Sequence, residues 1–306
     1  MVVATRDRPA LLAATLGALA EALGPADSVV VADSASTDRR VGQVAERAGA
    51  RLVRCDRPGT CRARNAGWRA AETDLVAFTD DDCLPRADWL TEVAAAFAGA
   101  AGLAFCTGQV LADAAPAGRA QLQLSLLESA TAATFGPGGD ATTFGHGANM
   151  AWSRRALEDI GGFDEAMGPG TPLRAAEDHD AFWRALAAGR TGAFHPGSVV
   201  VHRQWRTRRR DQLRAYHGYG IGSGALAVKR WRLAGGPGAA PLPLGALAGH
   251  VARELVWAEG AVPIGRNLAA RYEMGVVAET VKLAGALAGA ARARRVPLSG
   301  GRYQAD

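Results

Sequence analysis

At 306 residues the chain is long enough for one large domain, or one domain with an extension, and for a sizeable core. Hydrophobic residues make up 48% and charged residues 21%, which is the profile of a soluble globular protein. The four cysteines form neither a CxxC pair nor a zinc-binding spacing, which excludes an evident zinc module. We also expect no signal peptide before them. We therefore expect free thiols and a cytoplasmic protein.

The net charge of +5 is concentrated in one segment. Between Arg203 and Arg232, eight arginines and one lysine stand against a single acid, Asp211. No nucleic-acid-binding module is recognisable there, so nucleic acid is not predicted as a partner. The segment closes over a bound diphosphate, meets an acidic acceptor or lipid headgroup, or forms a solvated basic surface.

The first half of the chain alternates short apolar runs with helical patterns. Strands are predicted at 2–5, 28–32, 51–54 and 75–79. Helices are predicted at 10–23, at 61–71 and at 85–97, and another helix, after the second strand, runs to about residue 49. Strands and helices in this alternation favour a parallel, doubly wound sheet.

Three consecutive carboxylates, Asp80, Asp81 and Asp82, follow the apolar run that begins at Leu75. A strand buried on both faces delivers the residues after it to the carboxyl edge of a sheet, where ligands bind in open α/β folds. Asp80 and Asp82 project to the same side of an extended segment, and Asp81 points away. Adjacent acids repel one another unless a cation lies there, so the stretch predicts a metal site. The alternative is an acidic loop that caps the helix at 85–97.

Two further strands end in polar side chains. The second predicted strand ends at Asp33, before a hydroxyl-rich turn that either hydrogen-bonds a ligand or caps the next helix. A strand predicted at 198–201 ends at His202. A lone histidine is more often structural, but beside an acidic site it is a candidate partner for a metal or a phosphate.

The second half of the chain is less regular. We predict a strand at 103–111, a helix at 121–134, a strand reaching Trp152 and a short helix at 154–160. A later helix opens with Glu177, Asp178 and Asp180. Acids in a first turn are favourable to the helix dipole, which is one explanation for them. The other is that one of them is a base at the mouth of the site.

Glycine recurs between Gly218 and Gly224, but this segment does not follow a strand. We therefore interpret it as a flexible turn between helices rather than as a dinucleotide-binding loop. By composition the chain divides into three predicted units, 1–203, 204–236 and 237–306.

The last unit begins with a linker at 237–243, and helices are predicted at 244–259 and 264–291. Glu279 and Lys282 interrupt the last apolar stretch, so a membrane-spanning helix is not expected. The final helix packs on the rest of the protein, contacts an anionic membrane surface, or forms a dimer contact.

Seven short motifs, in this order along residues 2–232, resemble those of the family 2 glycosyltransferases of the GT-A fold. They are Val3–Pro9, Val31–Asp38, Arg64–Gly67, Phe78–Cys83 with its DxD pattern, Gly147–Ala151, Gly161–Glu165 and Glu177–Asp180. Each motif alone is a weak signal, whereas the ordered set is a strong one. The resemblance implies a GT-A-type, Rossmann-like, mostly parallel sheet flanked by helices, with a C-terminal helical extension.

The resemblance also implies roles for particular residues. Asp33 is expected to bind the base or ribose of a nucleotide donor, and Asp178 to be the general base, with Glu177 as the second choice. Asp80, Asp82 and His202 are expected to hold Mn²⁺ or Mg²⁺. The other residues expected to contact the donor are Thr5, Arg6, Arg64, Asn65, Asp80 and Asp81.

The predicted activity is therefore metal-dependent, inverting transfer of a sugar from a nucleotide-diphosphate sugar, a UDP-sugar first, to a hydroxyl. The acceptor is a glycan, a lipid-linked glycan or a small metabolite, and peripheral membrane contact through the basic and C-terminal segments stays open. A sugar-phosphate nucleotidyltransferase is a weaker alternative, because the segment Thr5–Pro9 lacks the glycine-rich loop of that class. A non-catalytic nucleotide-sugar-binding or membrane-surface scaffold would not need Asp80, Asp82 and Asp178 together.

Overall fold

The computed structural model describes residues 1–114, 125–137, 145–203, 206, 208–233 and 275–304. The predicted linker at 237–243, the helix at 244–259, the first part of the helix at 264–291 and residues 121–124 lie outside them.

A nine-stranded mixed sheet forms the centre of the protein, with the order β3-β2-β1-β4-β8-β6-β9-β5 and β7 paired to β9. Its strands are β1 Val2–Thr5, β2 Val30–Asp33, β3 Arg51–Arg54, β4 Leu75–Asp80, β5 Cys83–Pro85, β6 Leu103–Ala112, β7 Ala133–Phe135, β8 Asn149–Ser153 and β9 Thr191–His202. A short hairpin, β10 Leu298–Ser299 with β11 Arg302–Tyr303, lies outside this sheet.

Eight helices are described. They are α1 Pro9–Ala22, α2 Arg40–Arg47, α3 Thr60–Ala70, α4 Trp89–Gly99, α5 Arg154–Asp159, α6 Glu177–Ala187, α7 Arg209–Leu233 and α8 Gly275–Ala293. Among the described residues, none of these helices has the length and apolar character needed to cross a bilayer.

The four strands predicted in the first half pair in parallel, and their register fixes the site. In β1 and β2, Thr5 lies opposite Asp33, and Ala4 lies opposite Asp80 of β4. The carboxyl ends of three strands therefore meet at one edge, as expected for an open α/β sheet. Antiparallel β8 then separates this parallel half from β6 and β9.

Aromatic packing attaches helix α6 to the sheet. Phe182 of α6 stacks on Trp152 of β8, with ring centroids 5.6 Å apart, and lies 4.8 Å from Phe105 of β6. All three side chains are fully buried, and rings of this size contribute strongly to a core. The middle of α6 is thereby fixed against the sheet.

The helix predicted at 121–134 is wrong over the described residues 125–134. Leu127 forms an isolated bridge with Val110, and β7 pairs antiparallel with β9. The apolar residues of this segment cover the sheet as extended chain, which periodicity alone does not distinguish from a buried helix. The helix predicted at 85–97 begins later, at Trp89, because Cys83–Pro85 pairs with β9.

The flexible turn predicted between Gly218 and Gly224 is also wrong, because both residues lie inside the continuous helix α7. A Cβ atom at Gly220 would lie 2.0 Å from the carbonyl oxygen of Lys282 in α8, and one at Gly224 would lie 1.9 Å from that of Ala286. The glycines therefore allow the two helices to pack backbone to backbone.

A second apolar cluster joins this helix pair to the rest of the chain. Met167 and Leu173, which precede α6, share it with Leu226 of α7, Ala286 of α8 and Tyr303 of β11. The predicted boundaries at 203 and 236 stay predictions, although α7 packs on residues of the first predicted unit.

Gly224→Ala tests the close approach of α7 and α8. The added methyl group overlaps the backbone of α8, so we expect the free energy of unfolding to fall by about 1–3 kcal/mol, measured by urea denaturation. Gly218→Ala is the matched control, because its Cβ would meet no atom closer than 3.9 Å. That variant should gain up to about 1 kcal/mol from helix propensity. Equal effects of the two substitutions would contradict the packing explanation.

Candidate active site

A cavity of about 220 Å³ opens at the sheet edge where β1, β2 and β4 end. Its walls include five of the predicted site residues: Thr5, Arg6, Arg64, Asp80 and Glu177. Helix α3 supplies one side, and the first residue of α6 the other. A larger cavity of about 340 Å³ lies between α1 and α2, but its lining is apolar except for Arg47. The clustered polar groups make the first cavity the candidate active site.

The three acids that follow β4 are each paired with a cation from another element. Asp80 accepts a hydrogen bond from Arg64 Nη2 at 2.9 Å. Asp81 is fully buried and accepts from Thr5 Oγ1 at 2.6 Å and from Arg8 Nε at 3.1 Å. Asp82 accepts from Arg8 Nη1 at 2.8 Å. Arg8, which directly precedes α1, thus joins two of the three carboxylates.

These contacts separate the acids electrostatically. Burial raises the pKa of Asp81 to about 7, against the opposing charge of Arg8 and the hydrogen bond from Thr5. Burial also opposes ionisation of Asp82, but hydrogen bonds and charges from His202 and Arg8 lower its pKa to about 2. Of the three acids, the cavity is lined by Asp80, whereas Asp81 and Asp82 both pair with Arg8. The orientations predicted from alternation and the contact of Asp81 with a donor stay predictions.

Asp82 and His202 form a candidate metal centre. The pairing of β5 with β9 places Cys83 opposite His202, so that Asp82 Oδ1 and His202 Nε2 lie 3.6 Å apart. Ligand atoms of Asp82, Cys83 and His202 all lie within 4.8 Å of one another. Burial raises the pKa of the Cys83 thiol well above its ordinary value, which makes it a poor metal ligand. The carboxylate oxygen of Asp82 suits a hard divalent cation such as Mn²⁺ or Mg²⁺, and the imidazole nitrogen of His202 is a further ligand atom.

Arg64 connects the two ends of the cavity. Its side chain is buried, and besides Asp80 it contacts Glu177 Oε1 from Nη1 at 3.1 Å. Gly147 makes room for it, since a Cβ atom there would lie 2.8 Å from Nη2. Arg64 thereby ties the end of β4 to the start of α6.

The predicted donor residues Asp33 and Asn65 are both buried, with their polar atoms already engaged. Asp33 accepts from the backbone N–H of Ser36 at 2.8 Å and from Arg54 Nη1 at 2.8 Å. Asn65 donates to the carbonyl oxygen of Phe163 at 2.9 Å and accepts from its backbone N–H at 2.9 Å. Asn65 is therefore turned toward the 163–165 loop and away from the cavity, and its contact with a donor stays a prediction.

The two candidate bases differ in environment. Burial raises the pKa of Glu177 to about 7, helped by the charge of Asp178 and opposed by that of Arg64. Asp178 is also penalised by burial, but the charges of His179 and His146 hold its pKa below the ordinary value. Asp178 accepts hydrogen bonds from the backbone N–H groups of Gly147 at 2.7 Å and His179 at 2.8 Å. At neutral pH, Asp178 is the acid that is ionised.

Several residues at the cavity were not predicted from the sequence. Arg8 is the most important of them. The sequence signal that could have identified it is a cation just beyond the end of β1, the strand that pairs with β4. Two loops meet at the rim, where a Cβ atom on Gly170, whose φ is 89°, would lie 3.1 Å from the backbone nitrogen of Gly59. Besides these two glycines, the unpredicted lining residues are Ala4, Ser34, Thr60 and Pro169. Neither loop carries a local pattern that reveals the contact.

Comparison with known proteins identifies related chains. The sequence profile described as Glycosyl transferase family 2 matches residues 1–161, which is more than half of the chain. Two curated relatives from Mycobacterium tuberculosis strains, both named Pre-mycofactocin glycosyltransferase, are 31% identical over 173 residues. The match covers 56% of this chain but only 35% of each relative, so the chain spans well under two thirds of their length.

Two solved structures share the fold. S. aureus TarS 1-349 in complex with UDP-GlcNAc has a TM-score of 0.57 and 16% identity, covering 94% of this chain and 78% of that chain. The mannosyltransferase PcManGT from Pyrobaculum calidifontis, in complex with GDP-Man and Mn²⁺, has a TM-score of 0.55 and 21% identity, covering 95% and 85%. These likenesses confirm the predicted fold class.

Arg64→Met tests the ion-pair bridge across the cavity. The substitution leaves Asp80 and Glu177 without their shared cation, so we expect the free energy of unfolding to fall by about 3 kcal/mol. Arg62→Met is the control, because Arg62 Nε forms a longer, half-exposed pair with Glu165 at 3.3 Å. That loss should be about 1 kcal/mol or less. Urea unfolding curves of both variants measure the difference, and equal losses would contradict the assignment.

Proposed function

The chain belongs to glycosyl transferase family 2, and on this premise we propose that it transfers a sugar from a nucleotide-diphosphate sugar to an acceptor hydroxyl. One observation carries the proposal: a single cavity is lined by Asp80, from the acidic group at the end of β4, and by Glu177, from the acidic group that opens α6, with Arg64 between them. A donor diphosphate needs the first group, and an acceptor hydroxyl needs a base from the second.

The donor we propose first is a UDP-sugar. In this assignment Ser34, which follows Asp33, lines the nucleoside end of the cavity, and Arg6 and Arg64 line the part that takes the diphosphate. Arg6 is about half exposed at the rim and carries a charge that suits a diphosphate. One related fold binds UDP-GlcNAc and another GDP-Man, so dTDP- and GDP-sugars are tested beside UDP.

We place Mn²⁺ or Mg²⁺ at Asp82 and His202, with Asp80 as a further ligand. A divalent cation there would neutralise the charge that develops on the leaving nucleoside diphosphate. The support is the set of ligand atoms itself. The carboxylate of Asp82 has a pKa of about 2, and the imidazole nitrogen of His202 lies 3.6 Å from it. Arg8 is hydrogen-bonded to the same carboxylate and orients it.

Asp178 is the proposed general base, with Glu177 as the alternative. Asp178 is held by two backbone N–H groups in a fixed orientation. Its lowered pKa keeps the carboxylate ionised at neutral pH, which is the form that accepts a proton. Glu177 faces the cavity from its pairing with Arg64 and positions the donor. A base opposite the leaving group gives in-line attack, and therefore inversion at the anomeric carbon. The acceptor, whether glycan, lipid-linked glycan or small metabolite, is left to experiment.

Nucleotide-dependent thermal stabilisation tests the donor site. UDP, dTDP and GDP are added to the protein with and without Mn²⁺, and the unfolding temperature is recorded. Binding at 100 times the dissociation constant should add about 2.7 kcal/mol of stability for one of the three, only with metal. Asp82→Asn should abolish the metal-dependent part. Equal stabilisation of parent and variant would refute the metal assignment.

The two candidate bases are separated by substitution and by pH. Asp178→Asn should keep nucleotide binding but slow turnover by about 100- to 10,000-fold, measured as release of nucleoside diphosphate. Since a base works only when ionised, activity falls as pH drops through its pKa. With Asp178 as base, the parent should therefore stay active well below pH 7. An acid limb near the pKa of about 7 of Glu177, abolished by Glu177→Gln, would reverse the assignment.

A further inference from the structure

A buried charged cluster joins α6 to α7. We define it by Asp164, Asp180, Arg184 and Lys229. Lys229 of α7 is fully buried, and its Nζ atom lies 2.5 Å from Asp164 Oδ2 and 2.7 Å from Asp180 Oδ1. Asp180 belongs to the first turn of α6, two residues after Asp178. A side chain from the C-terminal part of the chain therefore reaches the turn that carries both candidate bases.

The cluster is closed and electrically balanced. Arg184 pairs with Asp180 at 2.9 Å and donates to the carbonyl oxygens of Ile160 and Gly162 at 2.5 and 2.8 Å. Asp164 also accepts from the backbone N–H of Tyr303 at 2.7 Å. Burial opposes ionisation of Asp180, but the charges of Arg184 and Lys229 lower its pKa below the ordinary value. Two carboxylates thus face two cations, which is the condition under which buried charges persist.

At the cavity, the first turn of α6 is held by Arg64, which pairs with Glu177, and by the backbone N–H of Gly147, which donates to Asp178. Aromatic packing begins only at Phe182, one turn later. The residue before the helix, Ala176, has a φ of 64°, a backbone conformation that is unfavourable for alanine and persists only where the surroundings enforce it. Helix α7 supplies that constraint directly, because a Cβ atom at Gly222 would lie 2.5 Å from the carbonyl of Ala175.

Building on the proposed function, we propose that Lys229 is a positioning residue for sugar transfer, which fixes the first turn of α6 through Asp180 and Asp164. Through this one side chain helix α7 supports the site, although it lies beyond the residues that match the family profile. A buried ion pair is weak evidence for stability, since apolar replacements of similar size often cost nothing. Its geometric effect on Glu177 and Asp178 is the contribution that such a replacement would lose.

The test compares Lys229→Met with the charge-balanced double variant Lys229→Met/Asp164→Asn. The double variant removes one cation and one carboxylate and leaves Asp180 with Arg184 as a neutral pair. It therefore allows the kinetic measurement even if the single variant does not fold. The probes are UDP-GlcNAc and GDP-mannose, and the readout is the rate of nucleoside diphosphate release with kcat and KM determined separately. We expect kcat to fall about 100-fold in the double variant, the effect of a small misplacement, while KM stays close to that of the parent.

Arg232→Met is the matched control on the same helix. Arg232 donates to the carbonyl oxygen of Val296 at 2.8 Å and ties α7 to the end of α8 without reaching α6. It should lower thermal stability and leave kcat close to that of the parent. A double Lys229 variant with the parent's kcat, or an Arg232 variant with the same loss of kcat, would show that Lys229 is merely structural.

Hydrogen exchange separates this inference from the proposed function. In the Lys229 variants the amides of residues 177–181 should exchange faster than in the parent, and in Arg232→Met they should not. If the parent releases no nucleoside diphosphate, the proposed function fails, and the exchange rates alone decide the positioning role. Unchanged exchange in the Lys229 variants would overturn it.

Discussion

Three carboxylates in a row at the end of a buried strand are the constraint on which the rest of this protein depends. The charges of Asp80, Asp81 and Asp82 cannot stay together at the sheet edge unless other elements compensate them. Arg64 comes from α3, Arg8 from the residue before α1, and His202 from the end of β9. Charge compensation therefore determines which parts of the chain converge at this edge.

Charge compensation operates a second time, in the cluster that joins α6 to α7. Asp164 and Asp180 are buried and are balanced by Lys229 and Arg184. The two charged networks meet on one helix, because Glu177 belongs to the first and Asp180 to the second. Helix α6 is thus held at Glu177 by Arg64 and at Asp180 by Lys229 of α7. A helix with acids in its first turn would otherwise gain only the modest support of its own dipole.

The sequence was sufficient for features that depend on local patterns. Strands β1, β2 and β4 are apolar runs, the parallel order of β1 to β4 follows from the helices between them, and the ends of β1 and β4 meet at the cavity. It was insufficient where a residue's role depends on a distant partner. The glycines of α7 pattern as a turn, but they are required by the backbone of α8, about sixty residues further along the chain.

The charged partners show the same limit. Nothing near Lys229 in the sequence indicates that it is buried, since a lysine in a basic helix normally faces solvent. Its acids lie in two other parts of the chain, at Asp164 and Asp180. The same holds for Asn65, which matches a donor-site motif but is turned into the 163–165 loop. A motif identifies the element correctly without stating which of its side chains faces the cavity.

The balance of charge at the cavity gives a reason for expecting a cation there. Around Arg8 and Arg64, four carboxylates face two guanidinium groups: Asp80, Asp81, Asp82 and Glu177. Burial, together with the charges of neighbouring carboxylates, raises the pKa values of Asp81 and Glu177 to about 7. A further positive charge nearby would favour the ionised form of both acids and lower these pKa values. A divalent cation carries the two charges that the arginines leave uncompensated, so the electrostatics of the cavity and the donor set of Asp82 and His202 favour the same ligand.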